Sequence, residues 1–214
     1  MKEYRIAFEK TGLMRYISHL DLNRCMIRAV RRSGLPAWYT EGFHPHMYLM
    51  FPLALSLGAE SLCEAMDIRL TEEIPEKEIL QRLNAALPEG LHATGVREPK
   101  HATIDIGSAV YTVTLAGEGL PALWESFLAQ PEILVEKKTK KGMKTVDIKP
   151  QITCEAAEET ADGLCLTLRL PAGNEGSLNV SVVTDALAAF AGRPILVRNV
   201  CRITIFCRDG EVFS

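Results

Sequence analysis

The side chains best suited to chemistry in this chain are concentrated in its first fifty residues, which we call the basic block. The block holds three of the five histidines and eight of the 24 lysines and arginines, but only four of the 27 acidic residues. Its formal charge is +4, whereas the other 164 residues carry −7. A basic, histidine-bearing and aromatic segment on an otherwise acidic chain predicts a binding site for an anionic ligand.

Four arginines recur at helical spacing inside the basic block, and we call them the arginine stripe: Arg24, Arg28, Arg31 and Arg32. Guanidinium groups are permanently charged and can bind two phosphate oxygens at once. The alternative is that the stripe only solvates the outer face of an amphipathic helix. Because Asp21 is the one acidic residue of the same predicted helix, the pattern favours contact with a phosphate backbone.

The block also contains three histidines at positions that a fold could bring together. His44 and His46 flank a proline, and the loop that holds them could fold back toward His19. A neutral histidine beside an anion-binding helix end can act as a general base or as a hydrogen-bond donor. We predict RNA contact for His19 and His46, with a structural hydrogen bond, acid–base catalysis or a metal as alternatives. No metal-binding spacing such as H-E-x-x-H is present.

Further residues of the block could line the same surface. Lys10 and Arg15 stand on either side of Gly12, where a turn can approach a phosphate closely, although Gly12 could equally serve only the turn. The spacing is neither a Walker loop nor a Rossmann fingerprint. Phe43 and Tyr39 could stack on bases or anchor a small core.

Composition excludes several other functions. The six cysteines contain no C-x-x-C pair, which predicts buried reduced thiols and neither a metal site nor a cofactor. No apolar run reaches the ~18 residues that a membrane helix needs, and no signal peptide is evident. We therefore expect a cytoplasmic protein without membrane contact.

The basic block lies in a predicted β-α-β-β-α-β unit over residues 1–98. Alternating apolar residues over 4–8 predict a strand, Ser18 with Asp21 predicts a helix start, and Gly34 predicts its end. The rest of this unit is predicted as strands over 47–57 interrupted at Pro52, a strand over 63–70, a helix after Pro75 and a strand over 91–96.

Residues 99–107 have no periodicity and are predicted to be a linker. The same order of elements then recurs over 108–214, with the lysine-rich run Lys137–Lys144 as the solvated tip of a hairpin or a secondary phosphate contact. We therefore predict the α+β class, with two ferredoxin-like plaits in tandem, antiparallel sheets and helices on one face. Two adjacent plaits would form a groove suited to RNA.

The motifs of the first 70 residues resemble a bacterial family, the radical-SAM-linked (radical-SAM-associated) domain of unknown function in its stand-alone form. The matching motifs are Lys10-Thr11-Gly12, Arg15, Ser18-His19-Leu20-Asp21-Leu22, Arg24, Arg28-Ala29, Arg31-Arg32, Leu35-Pro36, Gly42-Phe43-His44-Pro45-His46, Pro52-Leu53 and Gly58. The family has asparagine where this chain has His44. The C-x-x-x-C-x-x-C cluster motif is missing, so the resemblance implies an accessory protein and not the radical enzyme itself.

The leading hypothesis is an RNA-binding accessory protein without catalysis of its own. It would work with a radical-SAM enzyme that modifies tRNA or rRNA. The predicted RNA contacts are Lys10, Arg15, His19, Arg24, Arg28, Arg31, Arg32, Phe43 and His46.

Two alternatives stay open, and so does the oligomeric state. The first is a metal-independent endoribonuclease that uses His19 or His46, because the fold also resembles that of CRISPR repeat-processing endoribonucleases. The second is a subunit that docks on a radical-SAM protein without contacting nucleic acid.

Overall fold

The computed structural model describes residues 1–139 and 142–214, and in these residues it has ten strands and four α-helices. The strands are β1 (Lys2–Lys10), β2 (Leu49–Met50), β3 (Glu60–Leu70), β4 (Leu91–Arg97), β5 (Ile106–Ala116), β6 (Leu134–Thr139), β7 (Gly142–Asp147), β8 (Thr153–Thr160), β9 (Gly163–Pro171) and β10 (Leu196–Cys207). The helices are α1 (His19–Arg32), α2 (Glu76–Asn84), α3 (Leu120–Ala129) and α4 (Val180–Ala191). The chain is therefore an α+β protein, as its sequence predicts.

One sheet runs through both halves of the chain. Its order is β4-β1-β3-β10-β5-β9-β8, and β2 pairs with β3 beside this path. All of its pairings are antiparallel except that of β3 with β10, which is parallel and joins the two halves. Strands β6 and β7 form a separate two-stranded sheet.

The topology differs from two independent tandem plaits in three respects. The strand predicted over 47–57 is reduced to the two residues of β2, because Pro52 cannot donate to a ladder. The predicted hairpin, β6–β7, forms a sheet of its own, and the two halves share one sheet instead of packing as separate ones. The division into two plaits, with a linker over 99–107, stays a prediction.

Each half has its own hydrophobic core. In the first half, α1 and α2 pack on β1, β3 and β4, with Phe8, Met26 and Ile79 fully buried. In the second half, α3 and α4 cover the alternating leucines of β9, with Trp124 and Leu187 at the centre. The face of α1 that carries its arginines therefore points away from the first core and toward solvent.

The joint between the halves combines apolar packing with two buried ion pairs. A small third core includes Phe213 and side chains of β3 and β10. Arg202 on β10 pairs with Glu64 on β3, and Nε of Arg202 lies 3.0 Å from the Glu64 carboxylate. Arg5 on β1 pairs with Asp67 on β3 through two contacts of 2.7 Å, and its Nη1 donates to the carbonyls of His101 and Ser214. The Arg202–Glu64 pair therefore holds β10 against the first half, and Arg5 holds the C-terminal residue there.

Among residues 1–139 and 142–214, none of the helices has the length and apolar content that crossing a bilayer requires.

Candidate nucleic-acid interface

The arginine stripe is positioned by a well-formed helix start. Ser18 is the N-cap of α1: its hydroxyl accepts from the Asp21 amide at 3.1 Å and donates to the Asp21 carboxylate at 2.7 Å. Nη1 of Arg24 also donates to that carboxylate, at 3.2 Å. The Ser18 hydrogen bond and then the Arg24 contact hold the pKa of Asp21 below its usual value. The predicted N-cap is thus confirmed.

The stripe faces solvent along the outer side of α1. The inward face of the helix buries Leu22, Met26, Ala29 and Val30. Arg24, Arg28, Arg31 and Arg32 are all exposed. Between the first and third of these the helix rises about 10 Å, so the guanidinium groups form an elongated cationic surface.

Most of the hydrogen-bonding capacity of the stripe is unused. Nε of Arg31 donates to the Tyr39 hydroxyl at 3.2 Å, and Nη2 of Arg32 donates to the Ala86 carbonyl at 2.7 Å. Within the described part of the chain, Arg28 has no hydrogen bond or ion pair. A guanidinium has five N–H donors, so each of these arginines can still bind an anion.

The loop of residues 40–46 lies beside the stripe and presents an aromatic ring. Its ends are closed by Thr40, whose amide donates to the His46 carbonyl at 2.8 Å and whose hydroxyl lies 3.0 Å from Nδ1 of His46. Phe43 at the loop tip is fully exposed. Tyr39, which directly precedes the loop, contacts Arg31, so the start of the loop is anchored to α1.

His19 and His46 have different partners, and their predicted approach to each other stays a prediction. His19 is exposed in the first turn of α1, and its ring stacks edge-to-face on Phe51 with 5.2 Å between centroids. One ring nitrogen of His46 is engaged in closing its own loop. Across residues 1–139 and 142–214 no three potential metal ligands come together. His19 therefore lies at the start of the helix that carries the arginine stripe, whereas His46 helps to close its own loop.

Two predicted phosphate contacts occupy positions that the sequence did not indicate. Lys10 is only 2% exposed, and its ammonium lies 3.4 Å from the Ala59 carbonyl. Burial lowers the pKa of Lys10 and also removes its ammonium from solvent, so Lys10 is not exposed to a phosphate. Arg15 is half-buried and donates to Oδ1 of Asn199 at 2.9 Å, with Glu60 at 3.9 Å. It therefore connects the block to the second half.

The lysine-rich run forms part of the predicted hairpin. Lys137 on β6 is paired with Lys144 on β7, and both are exposed. Lys140 and Lys141 lie outside the described residues. A phosphate contact at this hairpin stays a prediction.

A cavity of about 340 Å³ between the halves was not indicated by the sequence. It is lined by the loop over residues 55–59, Tyr111 on β5, the first turns of α4 and the start of β10. The Gly58 amide donates to the Arg15 carbonyl at 2.8 Å, so one wall of the cavity is tied directly to the basic block. No local pattern could have indicated it, because its walls come from four distant segments.

The fold and this surface define a class of protein: a mixed α+β chain with an exposed cationic helix beside an exposed aromatic loop. Residues 3–180 match a bacterial family described as an uncharacterized protein conserved in bacteria (DUF2344). Because the match covers most of the chain, the protein belongs to this family. A comparison with curated proteins finds no match.

The family confirms the coarser part of the resemblance, a bacterial domain of unknown function. The radical-SAM link and the likeness to CRISPR endoribonucleases are not part of that description and stay predictions.

Proposed function

We propose that this protein is an RNA-binding accessory protein and that the arginine stripe with the loop over residues 40–46 is its RNA contact surface. The observation that carries the proposal is the row of exposed guanidinium groups with largely unused donors. Such a row neutralises successive phosphates and releases their counterions, which makes binding favourable and dependent on salt.

The exposed aromatic ring supports single-stranded RNA as the ligand. Phe43 is fully exposed although it is large and apolar, and Tyr39, which precedes its loop, contacts Arg31 of α1. Proteins that bind single strands combine a cationic track with aromatic rings on which bases stack. His19 is exposed at the start of α1, and we expect it to contact the sugar or a base.

The partner and the RNA class are inferred from the sequence resemblance. We propose that the protein presents tRNA or rRNA to a radical-SAM enzyme that modifies it, and that it holds no cofactor itself. Each half would then be a modified ferredoxin-like plait, and the RNA would lie along the surface of the first half that carries the arginine stripe. This part of the proposal rests on the motifs of the basic block.

The test is a binding titration of purified protein with tRNA and rRNA fragments over a range of salt. Replacing Arg24, Arg28 and Arg31 together by alanine should weaken binding and reduce the salt slope by about 2 for a single strand. The matched control removes three exposed cations of the same half outside the block: Lys77, Arg82 and Arg97. Unchanged RNA affinity in the stripe variant, or no RNA affinity at low salt, contradicts the proposal.

One observation favours a second function, metal-independent RNA cleavage. His19 is exposed at the start of the cationic helix, where a general base could reach a ribose 2′-hydroxyl. Incubation of the protein with RNA in chelator tests this alternative. New 2′,3′-cyclic phosphate ends that disappear in His19→Ala would support cleavage, whereas intact RNA would leave binding as the function.

A further inference from the structure

The cavity between the halves has the composition of a site for a small organic group. Its walls are mainly apolar, with Leu57 on one side and Val197 and Val200 on the other. The ring of Tyr111 adds a flat aromatic surface, and burial raises the pKa of its hydroxyl. A second cavity of about 320 Å³ adjoins the first along Tyr111 and Asn179. Apolar walls with a few converging polar groups are typical of binding sites.

The polar groups on the α4 side can both donate and accept hydrogen bonds. Asn179 is the N-cap of α4, yet its side chain does not cap the helix, so the amide is available to a ligand. Asp185, less than two turns further along α4, adds an exposed carboxylate acceptor. An amide and a carboxylate are the groups that read the donor and acceptor edge of a base.

The charge of the lining decides what the cavity can hold. Asp185 is the one charged residue among those that the structure describes as lining it, and that charge is negative. A phosphate inside would meet repulsion, whereas a neutral ring with an amino group would find an acceptor. One cation lies beside this wall: the backbone carbonyl of Arg15 accepts from the Gly58 amide, and its guanidinium donates to Asn199, which precedes Val200 of the lining.

We propose that this cavity takes one unstacked nucleobase bearing an exocyclic amino group. Tyr111 stacks on the ring, Asn179 and Asp185 bind its edge, and the attached phosphate stays outside, facing the basic block. This inference rests on the proposed RNA binding for one source of the base, a nucleotide splayed from bound RNA. The other source is a free nucleoside, which presents the same chemistry.

The free-nucleoside arm uses ligand-observed NMR with cytidine and uridine on the full chain. Cytidine should bind more tightly than uridine, because its amino group meets Asp185. Asn179→Ala and Asp185→Asn should each weaken cytidine binding about tenfold. Asn174→Ala, an exposed asparagine of the preceding loop, should leave it unchanged. Equal binding in all three variants overturns the inference.

The RNA arm uses single-stranded RNA labelled with 2-aminopurine, whose fluorescence changes when its stacking partner changes from a neighbouring base to an aromatic side chain. The change should occur with the natural chain and be lost in Ser181→Leu, which narrows the cavity from its rim. Thermal melting checks that Ser181→Leu folds. Asn179→Ala serves as a second variant, in which the same fluorescence signal should also be reduced.

The two arms separate this inference from the proposed function. RNA binding without a fluorescence change, together with no nucleoside binding, overturns the cavity site and leaves RNA binding intact. Nucleoside binding without RNA binding supports the cavity with a free ligand and contradicts the proposed function.

Discussion

Buried charged side chains at the joint between the halves make the stability of this protein sensitive to single substitutions at these positions. Arg202 and Glu64 are almost completely buried, and the guanidinium also donates to the carbonyls of Leu53 at 3.1 Å and Ala54 at 3.2 Å. Every charge in this cluster therefore has a partner. Burial of ions is tolerable only with such pairing, since either partner alone is strongly unfavourable in a dry interior.

Removal of one partner should be far more destabilising than removal of both. We expect Glu64→Gln to reduce the free energy of unfolding by about 3–5 kcal/mol, because Arg202 is left buried without its counter-charge. The double variant Glu64→Leu with Arg202→Met should recover much of the loss. Urea denaturation measures both. As a control, Glu155→Gln removes an exposed pair with Arg169 and should change stability by less than about 1 kcal/mol.

The thiol of Cys63 should make stability depend on pH in the alkaline range. Burial raises the pKa of Cys63 from 9.0 to about 11. The folded state therefore holds the thiol proton of Cys63 more tightly than the unfolded state does. The stability that this proton contributes is fully present below pH 9 and is lost as the pH rises toward 11. Between these limits the natural chain should lose more stability than Cys63→Ala. Cys165→Ala controls for loss of a thiol, and equal losses in the natural chain and Cys63→Ala would exclude this linkage.

At the scale of elements, α1 and its neighbouring loop act as one unit. The helix buries one face in the first core, which leaves the arginine stripe outside. The loop over residues 40–46 is closed on itself, and Gly42 at φ 129° takes a conformation that other residues rarely adopt. Because Tyr39 joins the loop to Arg31, cationic and aromatic groups are presented together.

The exposed ring of Phe43 should contribute to RNA affinity but not to stability. Stacking of one base on an aromatic side chain is worth about 1–3 kcal/mol, so Phe43→Ala should weaken binding of single-stranded RNA. The melting temperature should not change, because the ring buries no surface in the fold. Leu196→Ala, another exposed apolar residue, is the control in fluorescence anisotropy titrations. Equal affinity in the two variants would show that Phe43 does not stack.

At the scale of the whole molecule, the two halves are interdependent. The parallel pairing of β3 with β10 makes the sheet continuous. Nη1 of Arg5 donates to the carbonyls of His101 and Ser214, each at 2.9 Å, and its guanidinium lies over the Phe213 ring. The first half therefore depends on residues more than 90 positions away.

The interdependence predicts that residues 1–98 do not form a stable monomer alone. Without residues 99–214, Glu64 loses its buried partner and the edge of β3 is exposed to self-association. Size-exclusion chromatography and thermal melting of the fragment should show aggregation or broad unfolding, and mixing with residues 99–214 should restore cooperative melting. A monomeric fragment that melts like the full chain would instead establish two independent domains.

The sequence alone determined β1, α1 and the exposed part of the candidate site. Alternation from Tyr4 to Phe8 predicts β1, and Ser18 with Gly34 marks both ends of α1. These signals are local, because strand and helix periods and caps depend on neighbours within a few residues. The exposure of the arginine stripe follows from the same periodicity.

Tertiary structure alone decided which charged residues are buried and where the halves meet. A register shift between Phe8 and Lys10 accompanies the inward placement of that lysine. The contact of Arg15 with Asn199 spans 184 positions, and the cavity at Asn179 is likewise assembled from distant segments. No local period records such contacts, because they are set by strand pairing and packing between the halves.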